Sequence, residues 1–166
     1  MKLSNKQCVL AKPTKDNASA IFELLQLSPP LEVNSLYSYL LLCSHFSDTC
    51  VVAFSDEGEV VGFLSAYLVP SDPSRLFVWQ VAVHKDFRRQ NLAQRMLKEL
   101  LTRKVSEKVN FIEATVMPSN IPSNKFFESL AKDLNTTLKK ETFFSSELFG
   151  KESHEEEVLL SVGPLK

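Results

Sequence analysis

Four consecutive residues, Arg88-Arg89-Gln90-Asn91, lie in a basic turn (His84–Asn91) between a half-apolar strand at Leu76–Val83 and an amphipathic helix at Leu92–Arg103. A strand, a basic turn and a helix in that order aim a row of backbone N–H groups and a helix N-terminus at one point. Such a point holds a phosphate with little help from side chains. Neighbouring guanidinium groups add charge-assisted hydrogen bonds. A second group of reactive types is His154-Glu155-Glu156-Glu157. Alternation along a strand would send His154 and Glu156 to one face and Glu155 and Glu157 to the other, so His154 and Glu157 share a site only if the chain kinks there. Glu32 and Asn34 sit beyond a Pro-Pro pair, with the hydroxyls of Tyr37 and Tyr39 close behind and Trp79 on the strand before the basic turn. Nothing in the chain has the look of a Ser–His–Asp or Cys–His arrangement, so a covalent acyl-enzyme is not expected.

The elements that must position these residues are legible in the periodicity. Gln7–Lys12 reads as a strand and Lys15–Leu27 as a helix with Ile21, Leu24 and Leu25 on one face. Pro29 and Pro30 stop that helix. A second helix runs from an N-cap at Ser35 to Phe46. Thr49–Ser55 and Val60–Val69 form strands joined at Asp56-Glu57-Gly58-Glu59, a hairpin signal. Leu76–His84 is the fourth strand, Leu92–Arg103 the third helix and Phe111–Met117 the fifth strand. Ser119 or Asn120 caps a fourth helix, with Pro122 in its first turn, running to about Leu134. Thr137–Phe144 and Glu155–Val162 close the pattern as two strands across the loop containing Gly150. The expected fold is α/β: a mixed sheet of about seven strands with helices on both faces, in one domain covering 1–166, with ligands at the C-terminal ends of the central strands.

With 166 residues and 18.8 kDa the chain has room for one substantial core. A net charge of −1 and a pI near 6.3 leave no basic surface for nucleic acid, so the arginines of the turn suit a small polyanion instead. No span approaches the roughly 18 apolar residues of a membrane helix, and the N-terminus lacks the apolar run of a signal peptide. Cys8, Cys43 and Cys50 are odd in number and have no CxxC spacing, which points to three buried, reduced thiols, no structural metal and a cytoplasmic setting.

Arg88-Arg89-Gln90-Asn91-Leu92-Ala93 resembles the pyrophosphate motif R/Q-x-x-G-x-G/A of the GCN5-related N-acetyltransferases (GNAT), which implies a GNAT fold and acetyl-CoA as co-substrate. Asn91 stands where that family has glycine, and asparagine is the best non-glycine residue for a left-handed backbone. The resemblance implies that the fourth strand, at Val81, Ala82 and Val83, pairs with the pantetheine arm, and that Asn120 lies near it. Seven residues after Asn120, many members carry a tyrosine that protonates the departing thiolate. Phe127 stands there and cannot donate a proton, so that role falls to water or to another residue.

Four further blocks resemble the diaminobutyrate acetyltransferases of ectoine synthesis. Leu31 to Cys43 (LEVNSLYSYLLLC) is similar to L-D-x-N-S-x-Y-x-Y-L-L-L-C, and Phe77 to Val83 repeats F-V-W-Q-V-A-V. Thr115-Val116-Met117-Pro118-Ser119-Asn120 with Ser123 and Phe127 is similar to a third block, and Phe149-Gly150 with His154 and Glu157 to the F-G…H-x-x-E ending. By that resemblance Glu32 and Glu157 bind or position the amines of L-2,4-diaminobutyrate, with glutamate at 32 where the family usually has aspartate. Trp79 walls the acceptor pocket and stacks on a cation, Asn34 offers its amide, and Tyr37 and Tyr39 offer hydroxyls. An alkylammonium has a pKa of roughly 10, so a carboxylate or His154 must take its proton, directly or through water. The implied protein is a homodimer. The competing expectations are a relative that acetylates another diamine or amino acid, and a catalytically weak CoA-binding regulator.

Overall fold

The computed structural model describes residues 7–165. Four α-helices and seven strands follow one another as β1 (Cys8–Ala11), α1 (Ala18–Gln26), α2 (Leu36–His45), β2 (Val51–Ser55), β3 (Val60–Val69), β4 (Asp72–Val83), α3 (Leu92–Thr102), β5 (Phe111–Val116), α4 (Ile121–Asp133), β6 (Thr137–Phe144) and β7 (Glu157–Gly163). The strand order is β1-β2-β3-β4-β5-β7-β6. The β4–β5 pair is parallel, and β1–β2, β2–β3, β5–β7 and β6–β7 are antiparallel, the mixed sheet expected from the sequence. Residues 1–6, part of the stretch read above for a signal peptide, lie outside the described region.

The chain forms two compact units, one holding residues up to Tyr67 with Val78–Glu107, the other Leu68–Phe77 with Lys108 onward. The first unit is built on β2 and β3. Val52 opposes Phe63 and Ala53 opposes Gly62, so the two pairs point to opposite faces. The Val52–Phe63 face buries Ile21, Leu25, Tyr39 and Leu42 of α1 and α2. On the other face a Cβ built on Gly62 would lie 3.2 Å from Met96 Sδ and 3.3 Å from Leu92 Cδ2, so α3 packs there against bare backbone. Helices thus cover both faces. Ser35 caps α2 by accepting from the Ser38 N–H, as its position suggested.

The second unit is built on β5, β6, β7 and α4. Pairing of β4 with β5 runs from Arg75 opposite Phe111 to Phe77 opposite Glu113, and β4 itself continues to Val83. The buried Glu113 carboxylate is held by the Arg75 guanidinium and by the Ser161 hydroxyl at 2.9 Å, which ties β4, β5 and β7 together. Leu130 on α4 and Leu160 on β7 are fully buried, whereas β6 is exposed along most of its length.

Several boundaries differ from the sequence expectation; β2 begins at Val51 and not at Thr49, because Ser47–Thr49 form a 3-10 turn. Lys15–Asn17 forms a 3-10 turn ahead of α1, fixed by the Thr14 N–H donating to Asn17 Oδ1 at 2.8 Å. β4 begins at Asp72, four residues before Leu76. The Asp72-Pro73-Ser74 stretch has loop composition, but Asp72 accepts from the Ser74 hydroxyl and from Arg75 Nε and so fixes the entry to the strand. β7 begins at Glu157 and not at Glu155, with consequences for the site.

Candidate active site

In the first unit, the end of β4 leads into the basic turn. Ala82 is buried, while Val81 and Val83 are half-buried on the opposite face. Phe87 and Leu92, both buried, pin the two sides of the turn, so that Arg88 to Asn91 project between two apolar anchors. Arg88 Nε donates to the Val83 carbonyl at 3.1 Å, which folds the turn back on its strand. Arg89 and Asn91 both have positive φ, 60° and 55°, and Asn91 sits in the left-handed region as the N-cap of α3. Asparagine therefore does the backbone work that glycine does in the motif. The first N–H groups of an α-helix have no acceptor within the helix, and at Leu92, Ala93 and Gln94 they follow the exposed Arg88 and Arg89 after two intervening residues. The left-handed backbone expected at Asn91 is present.

The loop before α2 carries Glu32 and Asn34, the first exposed and the second half-buried. Tyr37 is 68% exposed and Trp79 is 46% exposed. Both side chains are exposed. Tyr39 is not. It is fully buried, donates its hydroxyl proton to Gln80 Oε1 at 3.1 Å and accepts from the Asn34 N–H at 3.2 Å. The expectation that Tyr39 gives its hydroxyl to a substrate is corrected accordingly: it stands behind the loop and holds it.

In the second unit, Asn120 caps α4, its Oδ1 accepting from the Ser123 N–H at 3.2 Å. Phe127 is 3% exposed and packs edge-on against Phe126, a core position on α4. The kink that His154 and Glu157 needed is present, because residues 153–156 stay out of the strand. Each acid of the run then goes its own way. Glu155 accepts from the backbone N–H of Ser119 at 3.0 Å and from its hydroxyl at 2.5 Å, and Glu156 accepts from Thr142 Oγ1 at 3.0 Å. Glu157 Oε1 lies 3.9 Å from His154 Nε2. The imidazole stacks on Phe149, with ring centroids 3.8 Å apart and planes within 15°. Its Nδ1 lies 2.5 Å from the Glu155 carbonyl oxygen. A carbonyl only accepts, so Nδ1 carries a proton, and Nε2 faces Glu157. The Ser119–Asn120 segment and the His154–Glu157 segment are thereby brought together.

Sequence reasoning did not single out Gln80, Glu155 or the stacking role of Phe149. Phe149 was visible as part of a block, but its partner was not. The thiols take no part. Burial pushes Cys43 up to about 11 and Cys50 up to about 12, while Cys8 is half-buried and not fully enclosed as expected. Among the described residues no group of three His, Cys, Asp or Glu side chains could hold a metal ion, and no helix is long and apolar enough to cross a membrane.

Residues 18–131 match the acetyltransferase (GNAT) family. The chain is 44% identical over 155 residues to the L-2,4-diaminobutyric acid acetyltransferase of Bordetella parapertussis, covering 93% of this chain and 83% of that one. It is 45% identical over 154 residues to the protein of that name from Virgibacillus pantothenticus, covering 93% and 96%. The structure superimposes with a TM-score of 0.91 and 38% identity, over 97% of each chain, on a diaminobutyrate acetyltransferase from Paenibacillus lautus solved with its substrate L-2,4-diaminobutyric acid and coenzyme A. The family match over residues 18–131 and relatives 44–45% identical over 93% of the chain lead to one conclusion: the chain belongs to the GNAT acetyltransferases and, within them, to the L-2,4-diaminobutyric acid acetyltransferases.

Proposed function

We propose that this protein transfers the acetyl group of acetyl-CoA to the side-chain (γ) amine of L-2,4-diaminobutyrate, releasing N4-acetyl-L-2,4-diaminobutyrate and CoA, as a step of ectoine synthesis. The observation that carries the reading is identity above 40% to relatives of that name over more than nine-tenths of the chain. The cofactor side supports it: Arg88, Arg89, Gln90, Asn91, Leu92 and Ala93 cradle the pyrophosphate, and Val81, Ala82 and Val83 offer strand hydrogen bonds to the pantetheine arm. Asn120 and Phe127 are shared with the family pattern, the first as a polar contact and the second as the apolar support of its helix.

On the acceptor side, Glu32 and Glu157 take the ammonium groups, Asn34 supplies a polar contact, and Trp79 stacks on a cation. The ammonium must lose a proton before it can attack. His154 is the residue we assign to take that proton, and Glu157, 3.9 Å from its Nε2, stabilises the imidazolium that results. The neutral amine attacks the thioester carbon in a ternary complex, strand N–H groups stabilise the oxyanion, and collapse of the intermediate expels the CoA thiolate. Tyr37, an exposed tyrosine, is the residue we assign to protonate it. The protein acts as a homodimer in the cytoplasm, and light scattering on the purified protein tests the first point.

CoA release from acetyl-CoA with L-2,4-diaminobutyrate, ornithine, lysine and putrescine as parallel acceptors tests the assignment. A strong preference for diaminobutyrate is expected. Glu32, one methylene longer than the usual aspartate, favours the reading in which a different diamine is preferred, and the same assay would reveal it. Silence with every acceptor while acetyl-CoA still binds would sink both in favour of a regulatory CoA-binding protein.

A further inference from the structure

Gln80 is 6% exposed on the inner face of β4, back to back with the exposed Trp79, and both ends of its carboxamide are hydrogen-bonded. Its Nε2 donates to the Glu32 carbonyl oxygen at 2.7 Å, and its Oε1 lies 3.1 Å from the Tyr39 hydroxyl, which in turn lies 3.2 Å from the Asn34 N–H. The direction of every bond follows from one fact. The Glu32 carbonyl can only accept, so the amide nitrogen of Gln80 must face it and the amide oxygen must face Tyr39. Tyr39 therefore donates to Gln80, and its oxygen is left to accept from Asn34. The result is a one-way chain of three hydrogen bonds that grips the loop on both sides of Val33.

The chain is anchored at its other end. The Gln80 N–H donates to Ser65 Oγ at 3.2 Å, and the Tyr39 ring is packed between Phe22 and Phe63, with centroids 6.1 and 6.2 Å away. Pro29 and Pro30, just upstream, contribute no N–H of their own to fix the loop. Gln80 also immediately precedes the Val81–Val83 segment assigned above to pantetheine. One side chain thus fixes the loop bearing Glu32 and Asn34 relative to the strand that carries the cofactor residues.

We propose that Tyr39 and Gln80 are positioning residues that set where the Glu32 carboxylate stands, and through it the discrimination between diaminobutyrate and its homologue one methylene longer, ornithine. This rests on the acceptor role given to Glu32 above. The longer Glu32 side chain has more rotamers than an aspartate, so its reach is defined only if the backbone beneath it is held, and this relay holds it.

The test uses Gln80→Met and Tyr39→Phe in the full-length protein, after wild-type turnover of diaminobutyrate has been established. Absence of that turnover would defeat the functional reading itself, before any variant is made. Each variant removes two of the three hydrogen bonds, which predicts a KM for diaminobutyrate raised at least about tenfold, with the KM for acetyl-CoA within about twofold of wild type. The kcat/KM preference for diaminobutyrate over ornithine should fall in both variants. The double variant should lose no more than the more severe single one, because both cut the same chain. Parallel rises in both KM values, or a lower Tm with unchanged acceptor preference, would reduce the relay to a structural feature and overturn the proposal. If Gln80→Met fails to fold, Tyr39→Phe, which keeps the packed ring, decides the matter alone.

Discussion

At the scale of single residues, Asn91 occupies a left-handed backbone that few side chains tolerate. With φ 55° and ψ 23° it occupies a region that β-branched residues enter only at a penalty of about 1–2 kcal/mol. Asn91→Val is therefore expected to lower stability by about that amount and to raise the KM for acetyl-CoA, whereas Asn91→Gly should leave both near wild type. Thermal denaturation and steady-state kinetics on the two variants check this, and equal tolerance of valine and glycine would contradict it. Glu157 belongs to the other half of the chemistry. Glu157→Ala should cut turnover with diaminobutyrate by roughly a hundredfold, in the range of a lost acid–base partner, while acetyl-CoA binding measured by calorimetry stays close to wild type. Equal losses in both would remove Glu157 from the acceptor side.

At the scale of elements, α3 matters because its first residue closes the basic turn. Gly62 lets that helix approach β3. A Cβ there would stand 3.1 Å from Ala53 Cβ and 3.2–3.3 Å from Met96 Sδ and Leu92 Cδ2, tighter than ordinary contact. Gly62→Val must push α3 outward, at a cost of about 1–3 kcal/mol for overpacking. Because Leu92 moves with it, the KM for acetyl-CoA should rise along with the drop in Tm, and a drop in Tm alone would dissociate the two. The helices and most strands were legible in the sequence because their signals are local: the Ser35 and Asn120 caps, the Pro-Pro stop, the apolar stripe of α3, the left-handed asparagine. What was not legible depends on partners far along the chain. Asp72-Pro73-Ser74 has the composition of a loop and becomes strand because Arg75, set by Asp72, reaches Glu113, 38 residues away. Gln80 finds Glu32 and Tyr39 at separations of 48 and 41 residues, and no periodicity announces that. The His154–Glu157 pairing was readable only as a condition, since local alternation argued against it and the tie from Glu155 to Ser119 takes the chain out of strand geometry.

At the scale of the molecule, Cys43 and Cys50 report on the integrity of the first unit. Their thiols are raised to about 11 and about 12 by burial, from an ordinary 9.0. A folded-state value above the unfolded one stabilises the protein below the unfolded pKa, and the benefit is lost as pH rises through the folded one. Stability should accordingly decline between pH 9 and 12, and this part of the decline should vanish when both cysteines are replaced by alanine. Denaturant melts across that range measure it, and an unchanged slope in the double variant would refute it. Alkylating reagents at neutral pH should reach these two thiols only on unfolding. The run from His154 to Glu157 has a different consequence, one of ionic strength. Glu155 and Glu156 are held by an N–H and by hydroxyls, neutral donors at 2.5–3.0 Å, whereas the His154–Glu157 contact can join two full charges. At 1 M salt the Debye length is about 3 Å, so attraction between separated charges all but disappears while contacts to dipoles at hydrogen-bond distance persist. A segment that looks on paper like a block of repelling acids is fastened in the one way concentrated electrolyte does not loosen.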